Sequence, residues 1–346
     1  IIDPMPPYFG LDISELSVKV LQMAHHGKYD SVHGFASEKL GMETIKDGDI
    51  KNVDGVVDAI KRARKKARIS AKNVICSLPE SKSFVRIVTI PQMKDEEIAE
   101  AIKWEIEAAI PLSIDQVYYD WQALDRRLTK DEKQMDVIVA AVSKKFINNL
   151  IRLLKRANLT VYGFEIESVA QANSLLRDDE KGITTMIIDI GDKSTSFVIT
   201  VDNIPVFTSN IPLSAESMTK TIEQTFGITY KEAENIKITY GIGSVLKNDH
   251  VFQAAESVVE NFVVEAQKSI DFYLTGLTYS DTIDRIIICG GGAKTIGLAP
   301  YLSRRLGHNI ELGNPWVNMN FKGVPPMDRG ASVQYATVIG LASKKL

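Results

Sequence analysis

Cysteine is nearly absent. Cys76 and Cys289 are the only two, each inside an apolar run that reads as a strand, so no disulfide framework is expected and a reducing compartment fits best. No stretch approaches the ~18 consecutive apolar residues that a membrane helix needs. The opening IIDPMPPYFGLDI lacks a basic segment followed by an apolar run, so neither a span nor a secretory leader is expected and the protein reads as cytosolic. An excess of one charge sign is missing as well: 41 Lys and Arg stand against 44 Asp and Glu, net −3, which removes any bulk drive toward nucleic acid or anionic lipid. The five histidines, His25 and His26 among them, have no Cys or acidic cluster at metal-ligand spacing, and no zinc site is expected.

What is present is an ordinary folded composition, 45% apolar and 25% charged, in a chain of 346 residues. That length exceeds one simple core and predicts two or three subdomains with room for a cleft between them. Residues 8–22 read as two short strands joined by a polar turn at 14–16, and 28–35 supplies a third. Val56, Ile60, Ala63 and Ala67 follow at helical spacing, ringed by Lys61, Arg62, Arg64, Lys65, Lys66 and Arg68. Such basic runs are usually solvated helix exteriors, and this one is read so.

Between 73 and 160 the order changes to strands NVICSL and FVRIVTI, a helix from Asp95 to Ile110, strands VYYDWQAL and MDVIVAAV, and a helix from Lys144 to Ala157. The first of these helices carries Ile98, Ile102, Ile106 and Ile110 one turn apart, is acidic at its start and stops at Pro111. Trp104, Tyr118, Tyr119 and Trp121 are read as core rather than as a partner groove. The second half opens with strand, Gly turn, strand, an Asp202-Asn203 hairpin turn and a further strand. Helical segments then run from about Ser214 to Leu274, Ile283 to Cys289 is a strand, and Leu298 to Leu306 and Ala331 to Ala342 are helices.

Chemistry enters through a duplication. GLDISELSVKV at 10–20 and IDIGDKSTSFV at 188–198 both place an Asp at the end of an apolar strand, before a tight polar turn and a second strand. Asp12 and Asp189 are 177 residues apart, close to half the chain, so each lobe would give one hairpin to a shared cleft. Turn N–H groups and hydroxyls can grip phosphate oxygens from both sides, with glycine allowing close approach. The two carboxylates would hold Mg²⁺ through its water shell, because Mg²⁺ gives up its waters reluctantly. Lys19 would neutralise phosphate charge.

The candidate nucleotide-contacting residues are thus Asp12, Ser14, Glu15, Ser17 and Lys19 in the first unit, and Asp189, Gly191, Asp192, Lys193, Ser194 and Thr195 in the second. A third element, CGGGAKTIGL at 289–298, delivers Gly290, Gly291, Gly292 and Ala293 to a helix start, where adenine and the α-phosphate could lie against bare backbone. A fourth, AENIK at 233–237, sets Glu234 and Lys237 on one helix face within reach of the ribose and base edge. Each is weak alone, since an Asp-Ile-Gly turn or a glycine run more often marks a plain connection. Their order gives them weight.

In that order the sequence resembles the actin, Hsp70 and sugar-kinase superfamily, and more closely the PilM family of type IV pilus assembly proteins with its division relative FtsA. The resemblance rests on GLDI with SVK, on YGFEIES at 162–168, DIG at 189–191, ITYKEAE at 228–234, GGGA at 290–293, NPW at 314–316 and IGLA at 339–342. It implies an α/β, actin-like two-lobed fold with an FtsA/PilM-type α+β insert, binding ATP or ADP with Mg²⁺ between the lobes. The divisions it implies are 1–72 (first lobe, first part), 73–160 (insert), 161–182 (connecting helix), 183–330 (second lobe) and 331–346 (a helix returning to the first lobe).

The resemblance further implies a cytoplasmic adaptor recruited to the inner face of the membrane. Its partner would be the short N-terminal cytoplasmic tail of a PilN-like membrane protein, held by the insert and its neighbouring lobe, with other assembly components and self-association in addition; no nucleic acid is expected. The first turn carries Ser14 where the family pattern has glycine, followed by Glu15; Asp192 follows Gly191, and LSAESMT at 213–219 lacks the family's glycines. Extra acids beside phosphate repel by an amount on the order of 1 kcal/mol at short range. No catalytic base stands out, so little turnover is expected. A small-molecule kinase on the same fold would need an Asp base that no segment singles out. A filament-forming division protein would carry an amphipathic membrane helix after a linker, whereas this sequence closes at SKKL directly after a core-like helix.

Overall fold

A computed structural model describes residues 6–110, 112–124, 133–242, 250–277, 279 and 281–344; Pro111 and the last two residues lie outside them. The order begins β1 (Tyr8–Ile13), β2 (Ser17–His26), β3 (Tyr29–Lys39), a small β4 (Ile45–Lys46) and β5 (Asp49–Ile50), α1 (Val53–Ala67) and β6 (Asn73–Leu78). It continues with β7 (Ser83–Pro91), α2 (Asp95–Ala109), β8 (Val117–Ala123), β9 (Gln134–Ser143), α3 (Lys144–Arg156), β10 (Thr160–Ile166) and α4 (Glu167–Leu175). The second half comprises β11 (Thr184–Ile190), β12 (Thr195–Val201), β13 (Ile204–Ile211), α5 (Ala215–Phe226), α6 (Tyr230–Tyr240) and α7 (His250–Phe272). It ends with β14 (Arg285–Cys289), α8 (Leu298–Leu306), β15 (Ile310–Leu312), α9 (Arg329–Ser332) and α10 (Ala336–Ala342).

The two large sheets repeat one topology. Strand order is β10-β6-β1-β2-β3 in the first and, read the same way, β15-β14-β11-β12-β13 in the second. The central strand of each pairs antiparallel on one side and parallel on the other. The second sheet's outer hairpin turns on Asp202 and Asn203, both at positive φ (51° and 67°), the primed-turn geometry that suits a hairpin's twist.

Along β1 the period of two sends Phe9, Leu11 and Ile13 to one face, where α1 and α3 cover them with Val56, Ile60, Leu150 and Leu154. Gly10 and Asp12 face the other side, where α10 lies so close that a Cβ on Gly10 would sit 2.6 Å from the Val338 carbonyl oxygen. Tighter still is the crossing of α10 and α4: a Cβ on Gly340 would fall 1.8 Å from the Ala170 carbonyl oxygen, a backbone atom with nowhere to go. Gly340→Ala is therefore expected to destabilise the fold by about 3 kcal/mol, read as a lower urea midpoint at unchanged slope.

The insert is smaller than chain order suggests. β6 lies inside the first sheet and α3 covers that sheet's core, so both belong to the first lobe although they flank the insert in sequence. What stands apart is the sheet β7-β9-β8 with α2 on one face, where Ile98, Ile102 and Ile106 bury against Val137, Val139 and Ala141. Tyr119 and Trp121 pack at the edge of that core. Trp104 does not: it is 73% exposed on the outer side of α2, and Tyr118 is 47% exposed, so neither is the core residue expected from composition. No helix among the described residues is long and apolar enough to cross a membrane.

Candidate functional site

The duplicated hairpins meet across a cleft of about 800 Å³ lined by both lobes, within the size range of small-molecule sites. Asp12, Ser14, Ser17 and Lys19 line it from the first lobe, and Asp189, Gly191, Asp192, Glu234, Gly290 and Gly291 from the second. The antiparallel register sets Lys19 directly across from Asp12. Lys19 Nζ lies 3.3 Å from Asp12 Oδ2, and Ser77 Oγ donates to Asp12 Oδ1 at 3.0 Å. Burial alone would lower the Lys19 pKa, but Asp12, Asp192 and Asp189 outweigh it and hold the ammonium charged above its ordinary range.

Asp189 sits at the matching strand end of the second lobe. Gln171 Nε2 on α4 donates to its Oδ2 at 2.6 Å and also contacts the Thr337 hydroxyl at 3.2 Å. Burial pushes Asp189 up, against the opposing pull of Lys19. Beside it Gly290 holds φ +83°, and any Cβ there would lie 2.2 Å from Asp189 Oδ1. A Cβ on Gly292 would meet Ile190 at 2.4 Å, and Ala293 is buried behind it, so these two shape the turn from within. Gly291 differs, for its nearest neighbour would be Asp192 Oδ1 at 3.6 Å, which leaves bare backbone toward the cleft.

Several residues expected at the phosphates are engaged elsewhere. Glu15 turns away and accepts the Gly48 N–H at 3.2 Å, so its charge does not line the cleft as the sequence led us to expect. Thr195 is fully buried with its hydroxyl donating to the Leu213 carbonyl at 2.7 Å. Ser194 lies in a separate small pocket with Glu15 and Asn210. Lys193 pairs with Glu216 at 2.6 Å. Lys237 is buried under α5, donating to the Ala215 carbonyl at 3.0 Å and Thr219 Oγ1 at 2.8 Å, and it pairs with Glu234 at 2.8 Å. Of the helical pair only Glu234 presents to the cleft, with Lys237 fixing it from behind.

Sequence reasoning missed the acid at the cleft floor. Glu167 opens α4 directly off the end of β10 and lines the cleft between the two strand-end carboxylates. Burial, then Asp12, Asp189 and Glu80, hold its carboxyl well above the usual range. Glu80, which accepts bonds from the Ser168 N–H and hydroxyl, is likewise pushed up by burial. The signal was an acid at a strand end inside YGFEIES, which shares that placement with Asp12 and Asp189 but is followed by a helix instead of a second strand.

These shifts carry a sign. A carboxyl raised in the folded state favours the acid form, so its contribution to stability is complete below the unfolded Glu value of ~4.3 and is lost as pH rises through the elevated folded value. The nucleotide-free protein is expected to melt at higher temperature as pH falls through that elevated value toward the unfolded one of ~4.3. Glu167→Gln, which cannot ionise, is expected to raise the melting temperature at the alkaline end and flatten the profile, measured by scanning calorimetry in matched buffers.

Beside the cleft lies a groove of about 630 Å³. Its floor is the insert face opposite α2, formed by Val85, Ile138, Ala140 and Val142; α3 adds Ile147 and Ile151, and the junction of β10 and α4 adds Phe164, Ile166 and Val169. β8, at the sheet edge, runs along it with Tyr118, whose ring lies 5.4 Å beneath the Lys144 ammonium. Lys344 pairs with Glu165 at the rim.

Comparison with known proteins agrees with this architecture. The family described as type IV pilus assembly protein PilM matches residues 10–346. Cell division protein FtsA of Bacillus subtilis is 24% identical across 96% of this chain and 82% of its own length, and that of Borreliella burgdorferi is 26% identical across 87% and 82%. Among solved structures, the PilM-PilN type IV pilus biogenesis complex superposes with TM-score 0.84 at 24% identity, covering 98% of both chains. MreB5 of Spiroplasma citri bound to ADP superposes at 0.57 and 13%, covering 97% of this chain and 95% of that one. The fold is that of the actin-like proteins.

Proposed function

Because the chain belongs to the PilM family of type IV pilus assembly proteins, we propose that it is a nucleotide-binding adaptor whose groove holds the cytoplasmic tail of a PilN-like membrane protein. The observation that carries this reading is the pairing of two sites on one frame: a charged cleft with bare glycine backbone and, next to it, an apolar groove bounded by a sheet edge that has no further strand among the described residues.

The cleft residues fit ATP or ADP with Mg²⁺. Gly291 offers open backbone, Lys19 a held cation, and the Gln171 Oε1 atom beside Asp189 is buried without a partner, a polar atom waiting for a donor such as bound water. Asp12 and Asp189 would orient the waters of Mg²⁺, Lys19 would neutralise phosphate charge, and Gly290 and Gly291 would let a flat base approach. Mg²⁺ supplies charge neutralisation when bound. No His, Cys, Asp or Glu cluster among the described residues could hold a metal without help from the nucleotide.

The groove suits an extended apolar peptide that adds a strand to the β8 edge and drops alternate side chains among Ile147, Ile151 and Phe164. Held this way, the protein would work in the cytoplasm at the inner face of the membrane, recruited by its partner. Calorimetric titration with Mg·ATP and with a synthetic partner tail tests both halves; saturable binding of each is expected, and absence of either removes that half.

A further inference from the structure

Charge that is balanced over the whole chain is sharply segregated within it. Residues 53–72 and 144–157 hold twelve Lys and Arg against two Asp, net +10 in a chain of net −3. The fold brings these segments together: α1 and α3 cover the same face of the first sheet and pack side by side, joined by the Arg156–Asp54 ion pair. Arg62 and Lys66 are occupied by Glu38. Lys61, Lys65, Arg68, Lys72, Lys145, Arg152 and Lys155 are exposed and have no acidic partner among the described residues.

Helical periodicity gives α3 two working sides. Ile147 and Ile151 look into the groove, while Lys145 and Arg152 look outward with the α1 cations, so the basic layer begins where the groove ends. From this we infer that the outer surface of α1 and α3 is a docking face for an anionic lipid bilayer. The choice of lipid rests on the reading that the groove holds a membrane protein's tail, which would bring this side of the molecule to the bilayer. Charge complementarity supports it: unpaired Lys and Arg on a two-helix layer suit a sheet of phosphate headgroups, and the attraction is electrostatic, without insertion. No large exposed hydrophobic or aromatic residue lies on either helix, which leaves no stacking platform for single-stranded nucleic acid.

The test is co-sedimentation of the full chain with phosphatidylcholine vesicles prepared with and without phosphatidylglycerol. Binding is expected only to the anionic vesicles and is expected to vanish as salt rises from about 0.05 to about 0.5 M. The combined variant K61E, K65E, K145E and R152E, all exposed positions away from the groove side of α3, is expected to lose at least ~50-fold in vesicle partitioning. Titration of the same variant with the tail peptide is expected to match the parent, which separates a failed lipid face from a failed groove. Equal binding to both vesicles, no binding to either, or full binding by the variant overturns the inference. So does capture of duplex DNA at salt where anionic vesicles are ignored, which would assign the face to nucleic acid.

Discussion

Lys19→Ala is expected to weaken Mg·ATP binding by at least ~1000-fold, roughly 4 kcal/mol, a loss sized by the removal of one partner from a buried charge cluster. The reason lies in what Lys19 holds together. Its ammonium is the cation against which Asp12, Asp189 and Asp192 are balanced, and these acids outweigh the effect of its burial. Without it the floor of the cleft presents those carboxylates to a polyanion. Salt screens charges in a cleft less than charges on the open surface, so the repulsion weighs more there. Lys19→Arg, keeping the charge, is expected to recover part of the affinity. Calorimetric titration reads both, and a thermal melt of the free variant separates lost binding from lost fold. Affinity in Lys19→Ala equal to that of the parent would remove the cleft from nucleotide binding.

The parts of this cleft that could be read from the sequence are those fixed by local rules. Asp12 and Asp189 announce themselves because alternation along a strand and a polar turn determine which face an end residue takes, and Lys19 follows because a tight turn sets the register across from Asp12. The glycines at 290–292 are legible for the same reason. Glu15, Thr195 and Lys237 illustrate the limit. Their positions on the chain are right for the cleft, yet each is claimed by a group remote in sequence: the Gly48 N–H, the Leu213 carbonyl and the Ala215 carbonyl. Nothing local foretells those partners. Gln171 was invisible for the opposite reason, and Glu167 offered only its place at a strand end, since α4 becomes part of the cleft only by docking between lobes against Asp189 and Thr337. Chain order also misplaces β6, whose apolar run suits a central strand of the first sheet as well as an insert strand.

Ile151→Asp is expected to lower affinity for the partner tail by at least ~100-fold, because it sets an unpaired carboxylate among apolar groove residues that a bound peptide would dehydrate. Ile151 is only half-buried in the free protein, so the fold should tolerate the change while the complex does not. The same variant is expected to bind Mg·ATP as the parent does, which a parallel titration checks. The groove and the cleft nonetheless share a wall. Within one continuous segment from β10 into α4, Phe164, Ile166 and Val169 line the groove, while Glu167 lines the cleft and Gln171 grips Asp189. A nucleotide that draws the two lobes together must move that segment or meet it already moved, and it can shift the groove only by as much as it prefers one arrangement over the other. Coupling of ordinary size would tighten the tail about tenfold when Mg·ATP is present, and Lys19→Ala should abolish that difference while leaving the nucleotide-free affinity for the tail intact. Tail affinity that is the same with and without nucleotide would mean that the shared wall is rigid and that the cleft serves the shape of the lobes rather than the choice of partner.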